Sequence, residues 1–326
     1  MKQIEIGENE AGIRLEKLLA KYLNKAPKSF IFKMLRKKNI TLNGKKADGT
    51  EKTKVGDVVK LFLSDDTIEN FREIKEAAPQ KKIPHLDIVY EDANIMLINK
   101  PTGMLVQKAD MKDYSLNEIL IDYLLQKGEI SKESLSTFKP SVCNRLDRNT
   151  SGLVAAGKSM AGLQELSEMF RKRTIHKYYL CYVSGRIDRP SVINGYLCKD
   201  EKNNKVMIFK EEKKGASQII TEYYPIKISD EFTLLKVKLI TGKSHQIRAH
   251  LASIGHPIIG DVKYGKKSIN EKYKREAKIT SQLLHGYELE FPAMEGRLSY
   301  LSGKSFQARL PKEFERMETM MGTLGR

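Results

Sequence analysis

In the stretch GIRLEKLLAKYL the apolar residues Leu15, Leu18, Leu19 and Tyr22 recur at i, i+3, i+4 and i+7. That spacing lines one face of a helix and predicts an amphipathic one. A second helix is expected after Pro27, with Ser29 as its cap and Phe30, Met34 and Leu35 facing inward. Lys33, Arg36, Lys37 and Lys38 crowd its exposed side and its end, where cations suit the helix dipole. ITLNGKKA then reads as a hairpin, with Asn43-Gly44 suited to a type I′ turn. Residues 65–84, DDTIENFREIKEAAPQKKIP, lack clean periodicity, are rich in charge and hold two prolines, so they are read as a linker.

Past residue 84 the pattern changes. Strand-like runs LDIVY and NIMLINK are separated by Asp92-Ala93-Asn94, and K-P-T-G at 100–103 ends the second. A helix is expected from a capping box, Ser115 with Glu118, carrying Leu116, Ile119, Leu120, Tyr123 and Leu124 on one face. Another begins near Ser159, with Met160, Leu163, Leu166 and Phe170 inward, and finishes in the basic R-K-R of 171–173. IHKYYLCYV is β-like and LLKVKLI alternates. No regular βαβ repeat connects these elements, so the class is α+β with a mixed or mainly antiparallel sheet. Three segments are expected: a small N-terminal α/β domain over 1–64, a linker over 65–84, and the main domain over 85–326.

Charge changes the picture most. The chain of 326 residues carries a formal net charge of +17, and residues 1–64 alone hold fifteen Lys and Arg against seven Asp and Glu. About half the excess therefore sits in a fifth of the chain. A module this basic neutralises phosphates, although a solvated, solubility-promoting surface is the plainer alternative. Two small helices and a lysine-rich hairpin resemble the alpha-L (S4-like) RNA-binding module. No apolar run approaches the roughly 20 residues that cross a bilayer. Membrane-surface binding would need exposed apolar helix faces, and both N-terminal helices need theirs for a core. The acidic start MKQIEIGENE is unlike a signal peptide, and Cys143, Cys181 and Cys198 form no C-x-x-C pair, so a reducing cytoplasm is expected.

Several motifs fail on spacing. ITGKS at 240–244 would need glycine at 237 to be a phosphate-binding loop, and Val237 stands there. His245, His250 and His256 are five and six residues apart, which does not bring two imidazoles onto one helical face, so no metal site is expected. They are read as structural or RNA-facing. No G-x-S-x-G elbow occurs. What remains is an acid and an arginine. NRLDRNTSG, residues 144–152, sets Asp147 between Arg145 and Arg148. In SHQIRAHLASIG, Ser244 is expected to cap a helix that Gly255 ends, with Ile247, Leu251 and Ile254 buried and Arg248 at the rim of the core, pointing into a cleft. An arginine partner favours the ionised form of a carboxylate, available as nucleophile or base. A plain buried salt bridge is the alternative.

NRLDRNTSG resembles the H-R-L-D-R-D-T-S-G signature of the RluA family of RNA pseudouridine synthases. Three more blocks match in order: KPTGMLV at 100–106, KYYLCYVSG at 177–185, and TGKSHQIRAHLASIGHPIIGD with Lys263-Tyr264-Gly265 at 241–265; LLHGYELEFP at 283–292 is a weaker match. Asn144 stands where the signature usually has His, and Asn149 where it has Asp. The resemblance implies a catalytic domain with a central cleft that converts uridine to pseudouridine without water, metal or cofactor. One carboxylate suffices for that rearrangement, whereas glycoside hydrolysis ordinarily needs two. Asp147 matches the catalytic aspartate, Tyr179 the active-site tyrosine, and Arg248 the arginine that pairs with the aspartate. Tyr178 should face the other side of the strand. Arg145 matches an arginine that extrudes the target nucleotide, or else binds phosphate, and Arg148 is expected beside it on the substrate. Lys33, Arg36, Lys37 and Lys38 are the expected RNA contacts of the N-terminal module. KKSINEKYKREAK at 266–278 is either a further backbone grip or a charged surface helix. The expected partner is RNA, of the large-subunit 23S type, bound by a monomer. Transfer RNA is the alternative substrate, and a catalytically idle assembly factor on the same fold is the alternative function.

Overall fold

The structure, a computed structural model, describes residues 1–73, 83–200 and 205–324. The chain divides into two compact units, one taking in 1–85, 118–141 and 157–164, the other 86–117, 142–156 and 165–326. Beyond the 1–64 read from the sequence, the first unit thus also takes in 65–85 and the two later segments.

The first unit has a four-stranded antiparallel sheet of β1 (Lys2–Glu5), β2 (Ile40–Leu42), β3 (Lys45–Lys46) and β4 (Val58–Leu61), in the order β1-β4-β2-β3. Helices α1 (Leu15–Tyr22) and α2 (Lys28–Arg36) bury Leu15, Leu18, Leu19, Ile31, Met34 and Leu35 with Ile40, Val59 and Leu61 of the sheet. The turn between β2 and β3 has both Asn43 and Gly44 at positive φ, as a type I′ turn requires. Two expectations are corrected. Ser29 is not the cap of α2: Pro27 is, because its extended backbone (φ −66, ψ 148) lets the helix start at the next residue. The stretch read as linker opens with a helix, α3 (Asp65–Phe71), capped by Ser64 and anchored by buried Ile68. Seven residues are too few for a periodic signal to stand out. Of that stretch, 74–82 lie outside the described residues.

The second unit is built on an eleven-stranded sheet. Its strands are β5 (Ile88–Glu91), β6 (Ile95–Lys100), β7 (Ser141–Val142), β8 (Ser151–Gly157), β9 (His176–Ser184), β10 (Ser191–Asp200), β11 (Lys205–Phe209), β12 (Ser217–Ile228), β13 (Phe232–Leu239), β14 (Leu284–Glu290) and β15 (Ser305–Gln307). The order is β11-β10-β12-β13-β9-β14-β8-β6-β5, with β15 beside β14 and β7 beside β8. β8 runs parallel to β14, while β5–β6 and the pairings from β15 through β14, β9, β13, β12 and β10 to β11 are antiparallel. The sheet is therefore mixed and mainly antiparallel, as expected. In chain order the remaining helices are α4 (Leu116–Gln126), α5 (Met160–Lys172), α6 (Gln246–Ser253), α7 (Lys267–Ala277) and α8 (Lys312–Leu324). Tyr182, Phe232, Leu251, Tyr273 and Met317 share one core; Ile95, Leu97, Leu153, Leu166 and Phe291 share another. No helix among the described residues is long and apolar enough to cross a membrane.

Candidate active site

The loop between β7 and β8 carries Asp147. It is tied to the K-P-T-G loop after β6 by a reciprocal pair: Gly103 N donates to the Arg148 carbonyl at 2.9 Å, and Arg148 Nε donates to the Gly103 carbonyl at 3.1 Å. Beneath them Lys100, fully buried, donates from Nζ to the carbonyls of Pro101, Met104 and Arg148 at 2.9, 3.0 and 3.1 Å. Three acceptors match the three N–H bonds of an ammonium group. Burial pulls this lysine down to about 7, and the Asp147 charge works the other way. Asn144 fastens the loop to β8, donating to Leu153 O at 3.2 Å and accepting from Ala155 N at 2.7 Å. The departure from histidine is thus accommodated by two backbone bonds.

Arg248 reaches the same place from α6. Ser244 does not cap this helix; the boundary residue is His245 in a left-handed conformation (φ 56), while the side-chain oxygen of Gln246 takes the Lys243 N–H at 3.1 Å. Gly255 (φ 90) follows the helix as expected. Arg248 Nη1 donates to Oδ2 of Asp147 at 2.8 Å, and Nε and Nη2 hold Asp261 Oδ2 and Oδ1 at 2.7 and 3.0 Å. Burial opposes the guanidinium charge, but its bonds to Asp261 and then to Asp147 outweigh that and raise Arg248. Asp261 is fully buried; burial alone would raise it, and the Arg248 bonds with the backbone N–H groups of Tyr264 and Lys263 keep it low. No hydrogen bond among the described residues reaches Oδ1 of Asp147, whose side chain is 28% exposed.

Tyr179 on β9 lines the same cleft, buried, while Tyr178 turns to the other face and bonds Glu290 at 3.1 Å. Burial first and the Asp147 charge second raise the Tyr179 phenol, so it stays protonated across the physiological range. The cleft, about 790 Å³, is large enough for a nucleotide. Its rim is cationic, with Arg145, Arg148, Lys177, Lys199, Lys205 and Lys243. Burial and the charge of Arg173 lower Lys177. Asp147, Tyr179, Arg248, Arg145 and Arg148 are therefore brought together. Lys33, Arg36, Lys37 and Lys38 are exposed on and after α2 in the first unit. The sequence assigns no role to Asp261, Lys100 or Tyr264 and reads His245 as structural or RNA-facing, although all four lie inside the matching blocks; block membership is the signal that points to them.

The RNA pseudouridylate synthase model matches residues 94–253. Ribosomal large subunit pseudouridine synthase C of Vibrio cholerae is 31% identical over 305 residues, 90% of this chain and 90% of that one. An uncharacterised RNA pseudouridine synthase of Mycoplasma capricolum is 31% identical over 311 residues, 93% and 96% of the two chains. Among solved structures, human RNA pseudouridylate synthase domain containing 4 shares the fold, with a TM-score of 0.57 at 22% identity over 72% of this chain and 92% of that one. A carboxylate pinned by an arginine in a basic cleft, on a chain this similar along almost its whole length, has one family context: the protein belongs to the RNA pseudouridylate synthases.

Proposed function

We propose that this enzyme converts uridine to pseudouridine in large-subunit ribosomal RNA, with Asp147 as the reacting carboxylate. The rearrangement breaks the bond from N1 of uracil to C1′ of the ribose and makes one from C5 to C1′. The proton lost from C5 is matched by one gained at N1, so nothing else is consumed. The observation that carries this reading is the asymmetry of Asp147: Arg248 holds Oδ2 and leaves Oδ1 open to the cleft. Attack on C1′ and removal of the C2′ proton both use that open oxygen.

The other roles follow from position. Tyr179, a neutral phenol in the cleft wall, lies against the base and passes a proton as the phenol. Arg145, exposed at the cleft, fills the space of the extruded nucleotide, an extrusion needed because the reacting atoms are hidden in structured RNA. Arg148 steadies the loop through Gly103 and offers its remaining N–H groups to phosphate. Residues 1–64 act as an S4-like module that holds RNA through Lys33, Arg36, Lys37 and Lys38. Action on ribosomal RNA supports a cytoplasmic setting. The large-subunit assignment leans on the name of the Vibrio cholerae relative.

Mapping pseudouridines in ribosomal and transfer RNA of a deletion strain, complemented with wild type or Asp147→Asn, tests this. Large-subunit sites that vanish on deletion and return with wild type alone are expected. Loss from transfer RNA instead would move the substrate, and restoration by Asp147→Asn would leave an RNA-binding protein without catalysis.

A further inference from the structure

His245 is a strained residue beside the reacting carboxylate. Its φ of 56 lies in the left-handed region, which a side chain other than glycine adopts at a cost of about 1–3 kcal/mol and which recurs at functional sites. The imidazole is 15% exposed, hydrogen-bonded at Nδ1 and near the carboxylate at Nε2. Nδ1 lies 2.9 Å from the Tyr264 hydroxyl, and Nε2 faces Oδ2 of Asp147 at 3.8 Å. Tyr264 in turn has its ring 5.3 Å from the Arg248 guanidinium carbon.

The hydroxyl decides the tautomer. Tyr264 Oη accepts the Val206 N–H at 2.9 Å. Its single proton then has one acceptor within reach among the described residues, Nδ1 of His245. Nδ1 is therefore the bare nitrogen and Nε2 carries the hydrogen, directed at Asp147. The other tautomer would leave the hydroxyl proton without an acceptor among the described residues and aim a lone pair at a carboxylate. The charged and titratable groups facing the imidazole are Asp147, Arg248, Lys263, Asp261 and Tyr264. Burial lowers it below its ordinary value; Arg248 and Lys263 add to that, against Asp147 and Asp261. It is neutral at pH 7.

We propose that His245 is a positioning residue, a tautomer-locked donor that joins Arg248 in holding Oδ2 of Asp147 and so presents Oδ1 to the ribose. The 3.8 Å separation closes to a hydrogen bond when substrate fills the cleft, as catalytic contacts tighten from their free-enzyme geometry. The inference rests on the assignment of Asp147 above.

Two variants separate positioning from mere structure. Asparagine fits a left-handed backbone better than most residues, but its amide ends where Nδ1 stood. Glutamine is worse for the backbone, yet its amide places an N–H where Nε2 was. A structural role ranks His245→Asn above His245→Gln; a positioning role ranks them the other way. With large-subunit RNA from the deletion strain as substrate, kcat is expected to fall about 10–100-fold in His245→Asn and about tenfold in Tyr264→Phe, with KM within about twofold. His245→Gln should recover to within about fivefold of wild type, and the acid limb of kcat lying below pH 6.5 should be absent from it. Nitrogen NMR of histidine-labelled full-length protein, the His245 signals being those lost in His245→Gln, should give the Nε2–H tautomer at pH 7 and a mixture in Tyr264→Phe. An Nδ1–H tautomer, His245→Asn matching or exceeding His245→Gln, or a loss carried by KM would overturn the inference. Full activity in Asp147→Asn, or none in wild type, would remove the Asp147 assignment and this inference with it. Strict dependence on Asp147 with His245 variants at wild-type kcat would remove this inference alone.

Discussion

Gly152 and Gly286 face each other across the parallel pairing of β8 with β14, and the contact demands glycine on one side only. A Cβ on Gly152 would stand 2.2 Å from the Gly286 carbonyl oxygen, and its φ of +113 strains any side chain. A Cβ on Gly286 would find its nearest neighbour, Leu153 N, at 3.4 Å, an ordinary contact. The asymmetry matters because Gly152, the second residue of β8, follows directly on the loop that carries Asp147, a loop closed by the Thr150 N–H on the Asp147 carbonyl at 3.0 Å.

Gly152→Ala is therefore expected to lower stability by more than the roughly 1–3 kcal/mol of backbone strain alone, and to cost activity beyond that loss by displacing the loop. Gly286→Ala should stay within about 1 kcal/mol of wild type and keep its turnover. Thermal unfolding and initial rates of the two variants side by side check this; equal behaviour would mean that β8 and β14 can part without consequence.

The Arg248–Asp261 pair makes a second prediction. Asp261 holds two edges of the guanidinium, so Asp261→Asn leaves a buried arginine with Asp147 as its only ionic partner among the described residues. Breaking such a pair costs about 3–5 kcal/mol. Arg248→Lys keeps the charge but cannot span Asp261 and Asp147 together, because an ammonium lacks the planar fork. Both variants should lose stability in denaturant titrations, and in both kcat should fall more than KM rises, since the carboxylate loses its orientation.

Much of this was legible in the sequence where one periodicity dominates. Leu15, Leu18, Leu19 and Tyr22 are all buried as their spacing predicts, and Tyr179 and Tyr178 point to opposite faces as neighbours in a strand must. Helix boundaries were harder. Ser29 and Ser244 carry the right chemistry for caps, but the preset backbone of Pro27 and the left-handed turn at His245 decide those ends. Asp261 bonds locally to the Lys263 and Tyr264 N–H groups, but the guanidinium it holds lies 13 residues away and links it to a carboxylate over 100 residues away; no local pattern encodes that bond made by folding. The same holds for Lys100, whose reading as part of a loop motif does not disclose that it ends up beneath that loop with all three protons engaged.

Lys100 also sets a pH dependence. Its folded value, about 7, lies below the 10.5 of the free side chain, so between those limits the unfolded chain binds a proton that the folded chain does not. Stability then rises with pH across that window, and the burden of the buried charge is fully present below pH 7. Replacing it with Met removes the titration. The stability curve of Lys100→Met from pH 6 to 10 should lack the rise that wild type has, though the variant is less stable throughout for want of donors to three carbonyls. Urea titrations at several pH values measure the difference; parallel curves would mean that the ammonium, with its three carbonyl bonds, stays charged through the window.

The basic end of α2 makes the last prediction. Lys37 and Lys38 are exposed, and among the described residues neither has an ion-pair partner, so both charges are available to phosphate. Each phosphate neutralised contributes about 0.7–0.9 to the slope of log affinity against log salt. Changing both lysines to Ser should flatten that slope for large-subunit RNA by about 1.4–1.8 and raise KM at low salt. Turnover on saturating RNA should stay near wild type, because the carboxylate, phenol and guanidinium of the cleft are untouched. Filter binding across 50–300 mM salt reads the slope directly. An unchanged slope would take these lysines out of the RNA contact and leave the charge of residues 1–64 as a matter of solubility.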